Sequence, residues 1–337
     1  MKVKLKKLSE QVMVITGASS GIGLATARLA AKGGARVVLA ARNEAALEQL
    51  VTELQAQGHK AVYVVADVGH EDDVRKIARV AHERFGGFDT WVNNAATGIF
   101  GALLDGATDD YRRLFETNFW GVVYGSLEAA RHLSGRGGAL INVGSALSDR
   151  ALPLQGIYAT SKHAVKGFTD ALRTELEAAD APVSVTLVKP AAIDTPFPQH
   201  AKNYMSEEPT LPPPVYAPEV VAEAILHAAR TPERDVIVGG GGKLISVMGQ
   251  HAPRLADKMM ATKGFLEQQK SGRPAHDQGG ALYRPTFGLQ ERGEYDGHVK
   301  EASFYTRAAR QPLPTALLVA AAGLALTALL RGDARKR

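Results

Sequence analysis

Two hydrophobic rhythms alternate along roughly the first 240 residues of this chain. Short apolar runs rich in Val, Ile and Ala predict buried strands at 11–16, 36–41, 61–65, 90–93, 139–143, 183–188 and 235–238. Between them lie longer stretches whose apolar positions recur every three or four residues. These predict helices up to Lys32, over 44–57 and 71–85, around Asn118, from Tyr158 to about Ala179, and from Pro218 to Arg230. Gly58 and the pair Gly86 and Gly87 stop two of them. Strands alternating with helices imply right-handed crossovers. The expected fold class is therefore α/β, a doubly wound parallel sheet of about seven strands with a C-terminal helical extension. Ligands of such sheets lie beyond the carboxyl ends of the strands.

The rhythm breaks after Thr195. Prolines at 196, 198, 209 and 212–214 predict a semi-rigid lid over a substrate, or a plain linker. In 244–262, Leu244, Ile245, Val247, Met248, Leu255, Met259 and Met260 stand among basic and polar residues. That pattern predicts an amphipathic helix pair, covering the substrate mouth or resting on a bilayer. Residues 264–311 are polar and glycine-rich, and read as a linker with little fixed structure. Residues 313–330 carry no charge; as a helix they would span about 27 Å, near the thickness of a hydrocarbon core, unless they form an Ala-rich helix docked on the enzyme or a partner. The expected organisation is a basic arm (1–9), a catalytic domain (10–240), an amphipathic segment (241–263), a polar linker (264–311) and a membrane anchor with a basic tail (312–337).

Composition narrows the function classes. The 337 residues include no cysteine, which excludes disulfides, thiolate nucleophiles and Cys-ligated zinc. The net charge of +5 gathers at the ends, in Lys2, Lys4, Lys6 and Lys7 and in Arg331, Arg335, Lys336 and Arg337. Basic ends beside apolar or strand segments fit a membrane surface at least as well as DNA; no nucleic-acid partner is expected, and binding through the termini is the weakest alternative. No apolar run follows the first lysines, so no secretory signal is expected. The ten histidines are scattered, and no metal is expected.

Chemistry concentrates at the predicted strand ends. Residues 16–23 read TGASSGIG between a strand and a helix. Gly17 permits a tight turn, Gly21 lets backbone approach an anion, and Gly23 lets helix and sheet pack closely. With Ser19, Ser20 and Ile22 they form a phosphate cradle at a helix N-terminus, unless this is an ordinary strand-to-helix turn. At the second strand end, Ala40, Ala41 and Arg42 stand where an acidic residue would hold ribose hydroxyls. A cation there pairs with a 2′-phosphate, favouring NADP(H) over NAD(H); the plainer alternative is a surface arginine. Asp67, followed by Val68, and Asn94 fall at two further strand ends. Asn118 lies in an apolar helix, where its amide must be satisfied by backbone groups, a buried water or a proton-relay water.

Ser145 follows the fifth strand, and Tyr158 and Lys162 share one helix face a turn apart. A free phenol titrates near 10, and a neighbouring cation pulls that value toward the working range. The trio therefore offers a general acid/base with a hydrogen-bonding hydroxyl. Without further support, the pair is a packed ring beside a solvated amine. The run GGGGK at 239–243 is no phosphate loop: Ile237 stands where its first glycine belongs, and Leu244 replaces the Ser or Thr.

Together these residues resemble the main branch of the short-chain dehydrogenase/reductase family over roughly residues 10 to 240. The TGxxxGxG turn is Thr16 to Gly23, YxxxK is Tyr158 to Lys162, and Ser145 lies 13 residues before the tyrosine, as in the family. Asn118 and Asp67 match its helix asparagine and adenine-side aspartate. Two residues depart from the pattern: NNAG becomes NNAA at Ala96, and the PG turn becomes Pro190-Ala191. The resemblance implies a Rossmann-type fold and hydride transfer between a nicotinamide and a substrate carbonyl carbon. Tyr158 would exchange the proton, Ser145 polarise the oxygen, Lys162 hold the ribose and lower the phenol pKa, and Asn118 order a relay water. Ile193 and Thr195 would lie at the carboxamide. The expected enzyme is an NADP(H)-dependent carbonyl reductase or alcohol dehydrogenase acting on a lipophilic substrate, as a homodimer or homotetramer. It would be held at a membrane by its C-terminus, with the catalytic domain in the cytoplasm. The competing expectation is a non-catalytic dinucleotide-binding sensor or scaffold at a membrane. Cutting before Leu313 is expected to convert a carbonate-resistant membrane protein into one released by carbonate. A full-length chain already in the supernatant would refute the anchor.

Overall fold

A computed structural model describes residues 3–275 and 279–310. Seven parallel strands form its central sheet: β1 (Val12–Thr16), β2 (Arg36–Ala41), β3 (Ala61–Val65), β4 (Thr90–Asn93), β5 (Gly138–Val143), β6 (Val183–Pro190) and β7 (Asp235–Val238). Their order is β7-β6-β5-β4-β1-β2-β3, so the chain reverses direction across the sheet at β1, between β2 and β4. This reversal leaves a crevice beyond the carboxyl end of β1. Every residue of β1 is buried, and alternate side chains enter different cores. Met13 and Ile15 join helices α1 (Gly21–Lys32), α2 (Glu44–Ala56) and α7 (Pro218–Ala228) through Leu24, Leu47 and Ile225. Val12 and Val14 join α3 (Glu71–Phe85), α5 (Gly121–Leu133) and α6 (Gly156–Ala178) through Ile77, Leu133 and Leu172. Burial on both faces explains why the strands read as continuous apolar runs.

Helix α4 (Thr108–Phe115) runs into α5 through one π-helical turn, Glu116–Trp120. Such turns widen the helix by one residue and commonly mark functional sites. Asn118 lies in this one, fully buried.

The segment after β7 packs on the catalytic side of the sheet. Helices α8 (Gly240–His251) and α9 (Pro253–Met260) set Ile245, Met248, Ala256 and Met260 against Leu147, Leu152, Tyr158 and Ala159. Ile245, Met248 and Met260 face the protein, whereas Leu244, Val247, Leu255 and Met259 are exposed, so both expectations for 244–262 stand. The glycine run has a packing reason. A Cβ on Gly239 would meet the Ala191 Cβ at 2.8 Å, and one on Gly242 would meet it at 3.0 Å and the Ala146 Cβ at 2.9 Å. A buried ion pair fastens the same junction: Lys189 Nζ lies 2.9 Å from Asp149 Oδ2, which also accepts from Ser246 Oγ at 2.7 Å.

The expectation of little fixed structure across 264–311 is corrected for its described residues. Lys270–Pro274 pairs antiparallel with Glu207–Pro209, and Val299–Lys300 pairs parallel with Val215–Tyr216. Low hydrophobicity misled because this segment is held by main-chain bonds and a few anchors, such as fully buried Leu282, rather than by an amphipathic stripe. Among the described residues no helix is long and apolar enough to cross a membrane, and the expected anchor at 313–330 lies outside them.

Asp149→Ala strands a buried ammonium and is expected to lower stability by about 3–5 kcal/mol in urea unfolding. A loss below about 1 kcal/mol would mean that Lys189 reaches water.

Candidate active site

The crevice begins with the turn after β1. Gly17 has φ +66°, and a Cβ there would lie 2.7 Å from the Ala95 Cα. A Cβ on Gly23 would lie 2.0 Å from the Gly17 carbonyl oxygen, so α1 starts in direct backbone contact with the turn. Thr16 and Asn94 lock β1 to β4. Thr16 Oγ1 accepts from the amides of Asn94 and Ala95, both at 3.1 Å. Asn94 Nδ2 donates to the carbonyls of Thr16 (2.9 Å) and Gly17 (3.3 Å).

Beyond the turn lies a cavity of about 410 Å³. Gly17, Ser19, Ser20, Gly21, Ile22, Arg42, Asp67, Val68 and Asn94 line one part, and Ser145, Tyr158, Lys162, Ile193 and Thr195 another. Gly23 and Asn118 are not in its wall; each shapes backbone beside it. The hydroxyls of Thr97 and Thr117 are buried in the wall without a protein partner. A glycine cradle that no Cβ could enter, a helix N-terminus and orphaned hydroxyls fit a phosphate-bearing nucleotide.

Arg42 does not touch empty space. Its Nη2 donates to the Ala281 carbonyl and its Nη1 to that of Leu282 at 3.3 Å, and Asp67 lies 3.9 Å away. Burial acts against the charge of Asp67, but the Gly69 amide (3.0 Å), Arg113 and Arg42 outweigh it and hold the carboxyl below its ordinary range. Arg113, on α4, escaped sequence reasoning because only the fold brings that helix beside Asp67.

Tyr158 and Lys162 project one turn apart from α6. The Tyr158 ring packs against Phe197 at 5.2 Å between centroids. Ser145 caps a short turn, its Oγ accepting from the Leu147 amide at 3.0 Å. Burial pushes the Tyr158 phenol up to about 12, with Ser145 pulling the other way. Lys162 is 2% exposed, and its Nζ donates to the Val143 carbonyl at 3.0 Å. Its ammonium, 5.7 Å from the Tyr158 ring centroid, is lowered by burial to about 8. The expectation that Lys162 draws the phenol downward is therefore corrected: burial sets the direction of the shift.

Asn118 is satisfied by protein. Its Oδ1 accepts from the Thr97 amide (2.8 Å), while Nδ2 donates to the Thr97 carbonyl (2.9 Å) and to Ser161 Oγ (3.2 Å). The amide thereby ties the loop after β4 to α6, and both of its hydrogens are engaged without a water. Sequence reasoning also missed Gln155, Phe265, Ala281, Pro285, Thr286 and Phe287 in the cavity wall, while Phe197 and His200 fall in the expected lid. None carries a periodic or motif signal; tertiary folding alone assembles them.

The family model for short chain dehydrogenase matches residues 11–205. An uncharacterized oxidoreductase, YxnA, from Bacillus subtilis is 50% identical over 323 residues, 95% of this chain and 90% of that protein. Dehydrogenase/reductase SDR family member 7B from Bos taurus is 33% identical over 274 residues, 77% of this chain and 82% of its own length. Among solved structures, a short chain dehydrogenase/reductase from Burkholderia phymatum in complex with NAD superposes with a TM-score of 0.66 at 26% identity, covering 76% of this chain and 96% of that one. An alcohol dehydrogenase from Thermococcus sibiricus complexed with 5-hydroxy-NADP gives a TM-score of 0.59 at 30% identity, covering 67% and 95%.

Between pH of about 8 and 10.5 the unfolded chain binds more protons than native Lys162 does. The penalty for burying the ammonium is therefore complete below this window and is lost as pH rises through it. The stability difference between the parent and Lys162→Met should shift by up to about 3 kcal/mol in the parent's favour across the window. Urea unfolding that gives the same difference at both ends would contradict the burial.

Proposed function

The chain belongs to the short-chain dehydrogenase/reductase family, and we propose that it is an NADP(H)-dependent oxidoreductase interconverting a carbonyl and an alcohol on a lipophilic substrate. One observation carries this reading: Ser145, Tyr158 and Lys162 line the same cavity as the glycine turn. A bound nicotinamide supplies or takes the hydride. Ser145 donates to the substrate oxygen, and Tyr158 gives it a proton. Burial holds the phenol protonated, the form that donates to a carbonyl oxygen. Lys162 steadies the ribose and offsets the cost of a transient phenolate. Asn118 acts as a positioning residue, through Thr97 and Ser161.

The 2′-phosphate preference rests on Arg42 at the end of β2 and on the absence of a carboxylate at 40–42. Gly17, Ser19, Ser20, Gly21 and Ile22 cradle the diphosphate, Asp67 and Val68 flank the adenine, and Ile193 and Thr195 face the carboxamide. Leu147, Leu152, Phe197, Leu211, Ile245 and Phe265 give the substrate end an apolar wall, which supports a lipophilic substrate. Membrane attachment through 313–330 belongs to the same reading, on the strength of that uncharged run. A homodimer or homotetramer also belongs to it; Trp120, 42% exposed and stacked on Tyr124, supplies an apolar contact face.

Tyr158→Phe is expected to slow NADPH-dependent reduction of a responsive ketone or aldehyde by about 10²–10⁴-fold while coenzyme binding persists. A variant as fast as the parent would sink the assignment. Arg42→Asp should move the kcat/KM ratio toward NADH, and an unchanged ratio would remove the 2′-phosphate contact.

A further inference from the structure

The stretch from Ala281 to Glu291 is irregular and unlike anything the sequence marks as functional, yet it lies across the nucleotide end of the crevice. Leu289 donates its amide to the Ser19 carbonyl at 2.7 Å, and the Gly21 amide donates to the Gln290 carbonyl at 2.8 Å. Both contacts fall on the glycine turn itself. Asn43, the N-cap of α2, donates from Nδ2 to the Thr286 carbonyl at 2.8 Å. Arg42 holds the carbonyls of Ala281 and Leu282, and Arg28 pairs with Glu291 at 2.7 Å. Leu282 is fully buried beside Ile99 and Leu114, which fixes one end. A Cβ on Gly288 would lie 2.6 Å from the Ala46 Cβ, so the stretch meets α2 at backbone distance.

The stretch does not fill the crevice. Ala281, Pro285, Thr286 and Phe287 line the same cavity as Gly17 and Asp67, so open space remains beneath them. We propose that residues 281–291 are a coenzyme strap. They form the outer wall of the dinucleotide site, fix the Arg42 guanidinium at its ribose end, and must release before coenzyme can exchange. The inference rests on the dinucleotide reading above and adds to it a determinant from outside the 11–205 region matched by the family model.

Two measurements on the full chain test it. In stopped flow, bound NADPH is displaced by excess NADP⁺ while its fluorescence is followed. Glu291→Lys sets two cations against each other at Arg28 and should raise the dissociation rate by about twofold to tenfold, the loss of one part-exposed ion pair plus a like-charge contact. Hydrogen exchange of the parent provides a readout independent of any variant's folding. The Leu289 and Gly21 amides should exchange at least several-fold more slowly with saturating NADPH than without it. An unchanged dissociation rate in a variant that melts like the parent, or strap amides that exchange alike in both states, overturns the strap while leaving dinucleotide binding intact. If neither NADPH nor NADH binds the parent, both the strap and the functional reading fall.

Discussion

The crevice depends on a backbone contact that permits no side chain. Helix α1 begins where any Cβ on Gly23 would lie 2.0 Å from the Gly17 carbonyl. That approach brings the helix N-terminus onto the end of β1, at the place where the strand order reverses. Thr16 and Asn94 hold the turn against β4, so the first and fourth strands end at one level. Asn118 then ties the next loop to α6, the helix that carries Tyr158 and Lys162. The glycine turn and the Tyr158 end of the crevice are thus connected through a short chain of hydrogen bonds, each made to main chain or to a buried hydroxyl.

Much of this was legible in the residues because it obeys local rules. The seven strands are apolar runs buried on both faces, and their helices keep a regular spacing. The glycines of the turn and the spacing of Ser145, Tyr158 and Lys162 are short-range patterns as well. The ionisation of Tyr158 was not legible. Sequence spacing places a cation near the phenol, but burial of both groups decides the balance, and burial belongs to the fold. Asn118 showed a related limit. That its amide had to be satisfied follows from its apolar helix, but its partners, Thr97 and Ser161, sit 21 and 43 residues away and become neighbours only in the tertiary structure.

The region after β7 was least legible, for a different reason. Amphipathic 244–262 announced itself, and Ile245, Met248 and Met260 cluster with Tyr158 and Leu152. Residues 279–293 have no such stripe. They are held by carbonyls and amides that every sequence possesses, so hydropathy reports only polarity. Arg42 illustrates the cost of reading one end of an interaction: the residue type indicates an anion partner, whereas two main-chain carbonyls also claim the guanidinium.

The glycines at 239 and 242 carry a consequence for how such a chain can change. The methyl of Ala191 and the bare backbone of those glycines fill one small volume, divided between positions some fifty residues apart. Neither position is free to vary alone. A methyl at 242 is sterically affordable only on a glycine background at 191 and with room made at Ala146, so the order in which the substitutions arise is constrained. What looks like a failed nucleotide motif is a packing device: Gly239, at φ +103°, would also bring a Cβ within 2.7 Å of the Tyr216 ring, so a change at 191 alone frees neither glycine.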